Sequence, residues 1–412
     1  MNIAIAGYGL EGRANLEYFR AKYPDATFTI FDENPHVLDN YSVNEEVLFV
    51  GGEGAFDKIQ GFDMVVRTAG LLPNKIAQTD KHWSSTREFF AECPVPIIGV
   101  TGTKGKGTTC TMTRDILRAD GRKVYLVGNI GVPALEVLPR INPNDAVVYE
   151  LSSFQLCDLD TSPHTAVVVR IEAEHVDIHG DFASYINAKS NITKHQTSDD
   201  TVIYYEKNKY SQQIADLSPG HKIPYPDDIE FNEKILKVPG VHYVENAKAA
   251  IAAVRDILRD KTSIEKGLSN FRAMPHRLEL VRELDGVKYY DDNFSTGFPS
   301  LEVAVKALAQ NDIVLIAGGK DRGLNNYGDI AQAINNSTVK QVFLIGETAP
   351  KIAAKLHIEH KICSTLTEAI LKSHQAAKPG DVVLMSPGAA SFDMFESFYD
   401  RAEQFQKEVK KL

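Results

Sequence analysis

The densest chemistry in this chain lies in one run of residues, Val100-Thr101-Gly102-Thr103-Lys104-Gly105-Lys106-Gly107-Thr108-Thr109. It follows the apolar stretch Ile97 to Val100, which reads as a strand, and opens a helical pattern through Met112, Ile116 and Leu117. Strand, glycine loop, lysine and helix in that order are what a triphosphate-binding loop requires. Consecutive backbone N–H groups surround the phosphate oxygens, the helix N-terminus favours their charge, and Lys106 bridges the outer phosphates. Gly102, Thr103, Lys104, Gly105, Lys106, Gly107, Thr108 and Thr109 are therefore the candidate ATP contacts. The fit to GxxxxGK[ST] departs at one place: Gly107 stands where a magnesium-binding hydroxyl is expected, so Thr108, Thr109 or a water must supply that oxygen.

Such a loop needs a carboxylate at the end of a neighbouring strand, because Mg²⁺ takes oxygen ligands in near-octahedral geometry. Glu150 closes the run Asp145 to Glu150 and precedes Leu151-Ser152-Ser153-Phe154-Gln155, whose polar side chains suit the lining of a cleft. A further strand end, Ile171-Glu172-Ala173-Glu174-His175-Val176-Asp177, sets His175 among carboxylates and favours a second-metal or substrate role over a structural histidine. Lys189 follows on the predicted helix Tyr185 to Lys189. Near the N-terminus, Gly7-Tyr8-Gly9-Leu10-Glu11-Gly12 follows the strand Ile3 to Ala6, with Asp32 at the end of the next strand, twenty residues beyond Gly12. This is a full GxGxxG fingerprint, and alone it predicts NAD. Beside a second, more specific phosphate loop, and with no obvious hydride-transfer site, it reads better as the seat of a diphosphate-linked sugar nucleotide. Glycines that serve only a tight turn and close helix packing are the plain alternative.

Positioning these groups takes alternating strands and helices. Apolar runs at Thr27 to Phe31, Met64 to Arg67, Ile97 to Thr101, Lys123 to Val127 and Ala146 to Leu151 alternate with longer helical patterns. Others follow at Thr165 to Ile171, Thr201 to Tyr205, Asp312 to Ala317, Gln341 to Ile345 and Asp381 to Met385. They are rich in Val, Ile and Leu, as buried strands of parallel sheets are, and the fold class is α/β. Prolines at Glu92-Cys93-Pro94-Val95-Pro96 and Arg272-Ala273-Met274-Pro275-His276 mark two boundaries, giving segments of about 1–93, 94–273 and 274–412. A chain of 412 residues is longer than one core usually grows, in keeping with that division.

Bulk properties exclude several classes. A composition 43% hydrophobic and 24% charged suits a soluble globular protein, and no apolar run is long enough for a membrane helix. The N-terminus runs straight into a strand pattern without the features of a secretion signal, which predicts a cytoplasmic protein. Cys93, Cys110, Cys157 and Cys363 form no CxxC pair and suggest neither a disulfide framework nor a cysteine-ligated zinc. A net charge of −10 and a pI near 5.7 argue against a nucleic-acid partner. The expected partners are small molecules, and the expected state is a monomer.

Gly102-Thr103-Lys104-Gly105-Lys106, Gly128-Asn129-Ile130-Gly131, Glu150 through Leu156, His175 with Asp177, Tyr185 with Ala188-Lys189, Pro275-His276-Arg277, and Ser386-Pro387 through Ala390-Ser391-Phe392-Asp393-Met394-Phe395 together resemble the Mur ligase family. The resemblance covers the whole chain and is strongest to the family's D-glutamate-adding members. It implies a Rossmann-like UDP-MurNAc-binding domain at 1–93, a central P-loop ATPase domain at 94–273 and a Rossmann-like, amino-acid-binding domain at 274–412. It also implies ATP-dependent addition of D-glutamate to UDP-N-acetylmuramoyl-L-alanine through an acyl phosphate, in peptidoglycan precursor synthesis.

Carried over by position, Lys106 holds the ATP phosphates, and Glu150 with Thr108 holds one Mg²⁺. His175 and Lys189, the latter as a carbamate, serve a second. Asn246 and Arg277 lie near adenine and phosphates, with Asp292 at the ribose. Gly9, Leu10, Glu11, Asp32, Glu33, Thr68 and Gly70 meet the uridine diphosphate, and Asn129, Ser152, Gln155 and His175 the muramoyl-alanine portion. Thr296, Arg322, Ser391, Phe392 and Phe398 hold the incoming glutamate. Three positions depart from the family pattern. Arg322 replaces a usual lysine, Phe294 stands in Asp292-Asn293-Phe294-Ser295-Thr296 where many members have lysine, and Tyr243 follows His242 where the family often has asparagine.

Competing readings are an L-glutamate-adding relative, a folylpolyglutamate synthetase, a nicotinamide-dependent oxidoreductase and a non-catalytic nucleotide-binding regulator. Folylpolyglutamate synthetase typically shows Gly-Lys-Gly-Ser where this chain reads Gly-Lys-Gly-Thr, but it normally lacks the N-terminal module. An oxidoreductase would leave Lys106, Glu150 and Lys189 without a task.

Overall fold

The computed structural model describes all residues except 39–45, 77–80, 175, 273–274 and 324–326. Strands and helices alternate throughout, and the described strands form three sheets. The first contains β1 (Asn2–Ala6), β2 (Thr27–Asp32), β3 (Leu48–Gly51), β4 (Met64–Arg67) and β5 (His82–Ser84) in the order β3-β2-β1-β4-β5, all parallel. The second contains β6 (Ile97–Thr101), β7 (Val124–Gly128), β8 (Ala146–Glu150), β9 (Thr165–Val168), β10 (Thr201–Tyr205) and β11 (His221–Tyr225) in the order β11-β10-β9-β6-β8-β7, again all parallel. The third contains β12 (Glu279–Leu284), β13 (Val287–Asp291), β14 (Ile313–Gly318), β15 (Val339–Ile345), β16 (Glu359–Ile362) and β17 (Val382–Met385) in the order β12-β13-β17-β14-β15-β16. Among the described strands only β12 and β13 pair antiparallel, through a two-residue turn with Asp285 at φ 50° and Gly286 at φ 78°.

The chain packs as two compact units, Met1–Ile235 with Glu245–Asn270, and Leu236–Val244 with Phe271–Leu412. In the first unit one apolar core is shared by the first two sheets and their helices. It holds Ile3, Phe19 and Ile30 from the first sheet's layers, and Leu135, Val147 and Tyr149 from the second's. A buried ion pair ties these layers together: Arg67, at the end of β4, donates from Nε to Asp158 Oδ2 at 2.8 Å and from Nη2 to the Phe154 carbonyl at 3.0 Å. In the second unit, alternate residues of β14 face opposite cores, Ile313 and Leu315 one way, Val314 and Ile316 the other. That period of two with both faces apolar is what a parallel sheet covered on both sides requires.

Every apolar run named above falls on a strand, with ends shifted by a few residues. The boundary placed at Ala273-Met274 falls outside the described residues.

Candidate active site

The strand order of the second sheet reverses at β6. Successive strands β7 and β8 lie on one side of it and β9 on the other, and such a switch point opens a crevice at the strands' C-terminal ends. The loop Gly102–Gly105 fills that place and leads into the helix Lys106–Ala119. Its shape depends on glycine at two positions. Gly102 has φ 153°, and a Cβ there would lie 2.2 Å from Val169 Cγ2; Gly105 has φ 95°, and a Cβ would lie 2.4 Å from Asn246 Oδ1. Thr103 fastens the loop to the segment after β9: its N–H donates to the Arg170 carbonyl at 2.7 Å, and its hydroxyl lies 3.0 Å from Tyr185 Oη and 2.9 Å from the Glu172 N–H. Lys104 points outward to Glu174 at 2.8 Å.

Two lysines converge on the loop. Lys106 Nζ donates to the carbonyls of Gly102 at 2.9 Å and Thr103 at 3.1 Å. Lys189, on the helix Phe182–Ser190 and 1% exposed, donates to the Gly102 carbonyl at 2.9 Å and to Thr101 Oγ1 at 3.4 Å. Burial lowers the pKa of both below the ordinary lysine range. For Lys189 the shift is large, and the charge of Lys106 adds to it. Glu150 ends β8 beside β6, buried, and receives Asn129 Nδ2 at 3.2 Å. In the first turn of the helix, Thr109 is fully buried with its hydroxyl 3.4 Å from Asn246 Oδ1, whereas Thr108 is half-buried. Gly107 is helical, inside that same turn. Ser152 and Gln155 hold each other in a capping box at the start of the helix Ser153–Leu156. His175 and the side chain of Asp177 lie outside the described part.

At the first sheet, Gly9 caps the helix Leu10–Lys22, and Gly12 packs so closely that a Cβ would lie 2.0 Å from the Gly7 carbonyl oxygen. Leu10 is largely exposed beside this loop. The carboxylate of Asp32 accepts from the Tyr8 N–H at 2.7 Å and the Asn34 N–H at 2.8 Å, bracing the glycine loop. Glu11 accepts from the Ala69 N–H at 2.7 Å and from the Ser85 hydroxyl. Glu33, Thr68 and Gly70 line a cavity of about 310 Å³ with Gly7, Phe56, Leu71, Leu72, Lys75 and Ile178. An apolar wall with one cation and one carboxylate suits a nucleotide base and diphosphate.

In the second unit, Asp292 is buried. It accepts from Ser386 Oγ at 2.7 Å, from the Ser295 hydroxyl and from the Leu278 N–H at 3.2 Å, and burial raises its pKa to about 7. Arg277 is exposed with its Cζ 3.9 Å from the Phe294 ring centre. Phe294 meets Phe398 edge to face at 5.2 Å. Arg322 lies 6.0 Å from the Phe392 ring, and the Lys320 N–H bonds the Ala390 carbonyl at 2.8 Å, bringing the segments of Arg322 and Ser391 together. Ser391 is buried, and its hydroxyl has no partner among the described residues. Thr296 is exposed.

Residues 100–234 match the model of the Mur ligase middle domain and 276–388 that of the Mur ligase, glutamate ligase domain. UDP-N-acetylmuramoylalanine--D-glutamate ligase of Acetivibrio thermocellus is 34% identical, over 100% of this chain and 96% of its own length. The chain belongs to the Mur ligase family. Among solved structures, the MurF ligase of Thermotoga maritima in complex with ADP shares the fold at a TM-score of 0.61 and 18% identity, over 99% of this chain and 94% of that one. FolC of E. coli reaches 0.54 at 19% identity but covers only 79% of this chain, against 92% of its own.

Two residues of this Mur ligase escaped the motif reading. Arg67 orders both Thr68–Leu71 and Phe154–Asp158. His179 meets the Ser153 hydroxyl through Nε2 at 2.9 Å and stacks on Phe154. A lone arginine ending an apolar run was the one available signal for the first; the second, four residues beyond His175, carried none of its own.

Proposed function

We propose that this chain adds D-glutamate to UDP-N-acetylmuramoyl-L-alanine at the cost of one ATP, releasing ADP and phosphate, and works in the cytoplasmic synthesis of peptidoglycan precursors. The observation that carries this reading is the meeting of the glycine loop, Lys106, Glu150 and the buried Lys189 at the ends of β6 and β8, in a chain whose full-length relatives bear that ligase's name. Segment 1–93 binds the UDP-sugar, 94–273 the ATP and 274–412 the amino acid.

The loop N–H groups and Lys106 hold the triphosphate, and Lys106 offsets charge on the γ-phosphoryl oxygens as that group passes to the alanine carboxylate. The carboxylate oxygen gains the phosphoryl group and ADP leaves. The glutamate amine then attacks the acyl carbon, and phosphate departs as the amide forms. Asn246, Arg277 and Asp292 serve the nucleotide. Gly9, Leu10, Glu11, Asp32, Glu33, Thr68 and Gly70 serve the uridine diphosphate, and Asn129, Ser152 and Gln155 the muramoyl-alanine portion. Thr296, Arg322, Ser391, Phe392 and Phe398 serve glutamate. The unpartnered Ser391 hydroxyl and the Arg322 guanidinium are what a dicarboxylate would engage.

Glu150 and Thr108 offer oxygens that one Mg²⁺ would take, and a ring nitrogen of His175 with the carbamate oxygens of a modified Lys189 would serve a second. An ammonium repels a divalent cation, so Lys189 fits only after its neutral amine adds CO₂ and loses a proton, giving an anionic carbamate. Its depressed pKa favours the neutral amine. Bound Mg²⁺ would act as a Lewis acid toward the transferring phosphoryl group.

The test is phosphate release from ATP with UDP-N-acetylmuramoyl-L-alanine plus D-glutamate, L-glutamate, or folate plus glutamate. Release should require the muramoyl substrate and D-glutamate together. Release independent of the muramoyl substrate would overturn the reading.

A further inference from the structure

Two aromatic residues, Tyr243 and Phe294, converge on Arg277. Arg277 lies in a turn whose flanking residues both sit in the left-handed region, His276 at φ 63° and Leu278 at φ 47°. Residues with a Cβ hold that conformation only where their surroundings fix it. Here the Phe294 N–H donates to the His276 carbonyl at 3.0 Å, His276 Nδ1 meets Asp291 Oδ2 at 2.8 Å, and the Leu278 N–H donates to Asp292. The Tyr243 hydroxyl donates to the Arg277 carbonyl at 3.3 Å, its ring buried beside Phe271.

The Arg277 side chain is fixed as well. Its guanidinium lies over the Phe294 ring, and that ring is set by its edge contact with Phe398. A cation over an aromatic face is attracted by the ring's quadrupole, whereas a lysine at 294 would put a second cation there. Arg277 also helps keep His242 neutral, since burial and the guanidinium charge lower that histidine to about 4.

We propose that Tyr243 and Phe294 are positioning residues that together aim Arg277 and thereby set this chain's affinity for nucleotide phosphates. The proposal rests on reading Arg277 as a nucleotide contact, so the experiment separates the two. ADP binding with Mg²⁺ is measured by calorimetry on the full chain, alongside KM for ATP and kcat. Arg277→Ala should weaken ADP about tenfold, the worth of a charge-assisted contact. Phe294→Leu should weaken it roughly two- to fivefold, as loss of an exposed cation–π contact does. Phe294→Lys should weaken it further, and Phe294→Trp should bind as wild type does. Tyr243→Phe should raise KM for ATP and leave kcat unchanged. Added to Arg277→Ala, neither Phe294→Leu nor Tyr243→Phe should have a further effect.

An unchanged affinity in Arg277→Ala overturns the nucleotide assignment and the proposal with it. A weakened Arg277→Ala beside an unaffected Phe294→Leu overturns the positioning role alone, as would equal losses from Phe294→Leu with and without Arg277. Should Phe294→Leu lower the melting temperature, Phe294→Trp against Phe294→Lys still decides, because both keep a large side chain there.

Discussion

Lys106 and Lys189 donate to one and the same acceptor, the carbonyl oxygen of Gly102, each at 2.9 Å. Two ammonium groups so placed repel each other, and the more buried of them gives up its proton more readily. In the proposed function that asymmetry would separate their tasks, with Lys106 held beside the phosphate loop and Lys189 the amine offered to CO₂.

Lys189→Ala should therefore lose turnover by about a hundredfold or more, the scale for removing a preorganised electrostatic group, and recover part of it with acetate or propionate. Steady-state phosphate release with and without these acids checks it. Full activity of the variant without added acid excludes the carbamate.

For Lys106→Ala the expectation is loss of turnover by about 10²- to 10³-fold with the fold intact, since the lysine's hydrogen bonds are to its own loop. Activity close to wild type, with a circular dichroism spectrum unchanged, would refute the assignment of the loop.

What could be read from the sequence follows from how narrowly each feature constrains residue type. Gly102 and Gly105 tolerate no Cβ, and Lys106 must follow them, so the loop announces itself. The central strands β6, β8, β9, β14 and β17 are buried on both faces and read as continuous apolar runs. Strands β11 and β16 lie at sheet edges, and Glu359-His360-Lys361-Ile362 carries the polar residues that an exposed edge favours, so periodicity does not distinguish it from a loop. The β12–β13 hairpin did carry a signal, Asp285-Gly286 between Leu284 and Val287, the pair that a tight turn with two positive φ values prefers. Arg67 gave only its place at the end of an apolar run, because its partner Asp158 is 91 residues away. The first two sheets share a core, which boundary prolines alone do not reveal.

Asp292 supplies a pH dependence of known sign. Burial raises its folded pKa to about 7, above the unfolded value of roughly 3.9. Its contribution to stability is therefore full below the unfolded pKa and is lost as pH rises through about 7. Melting temperatures of wild type and Asp292→Asn between pH 4 and 8 should converge at the acid end and diverge toward pH 8, with the variant the less pH-sensitive. Parallel curves would show that Asp292 is ionised across the range.

Arg67 and Asp158 allow a stability prediction whose double variant tests the cause. The Arg67 side chain is fully buried, that of Asp158 is 10% exposed, and the guanidinium also serves the carbonyls of Thr68, Leu71 and Phe154. Removing one member leaves a buried charge without its counterion, so Asp158→Asn and Arg67→Met should each destabilise the first unit by about 3–5 kcal/mol. Replacing both removes the orphaned charge but leaves three carbonyls without their donor, so the double variant should be less destabilised than the two single losses added together, without regaining wild-type stability. Urea unfolding followed by the fluorescence of Trp83, which lies in β5 of the same unit, measures all four proteins. Additive losses would mean that the two side chains act independently, and the ion pair would then have no part in joining the first two sheets.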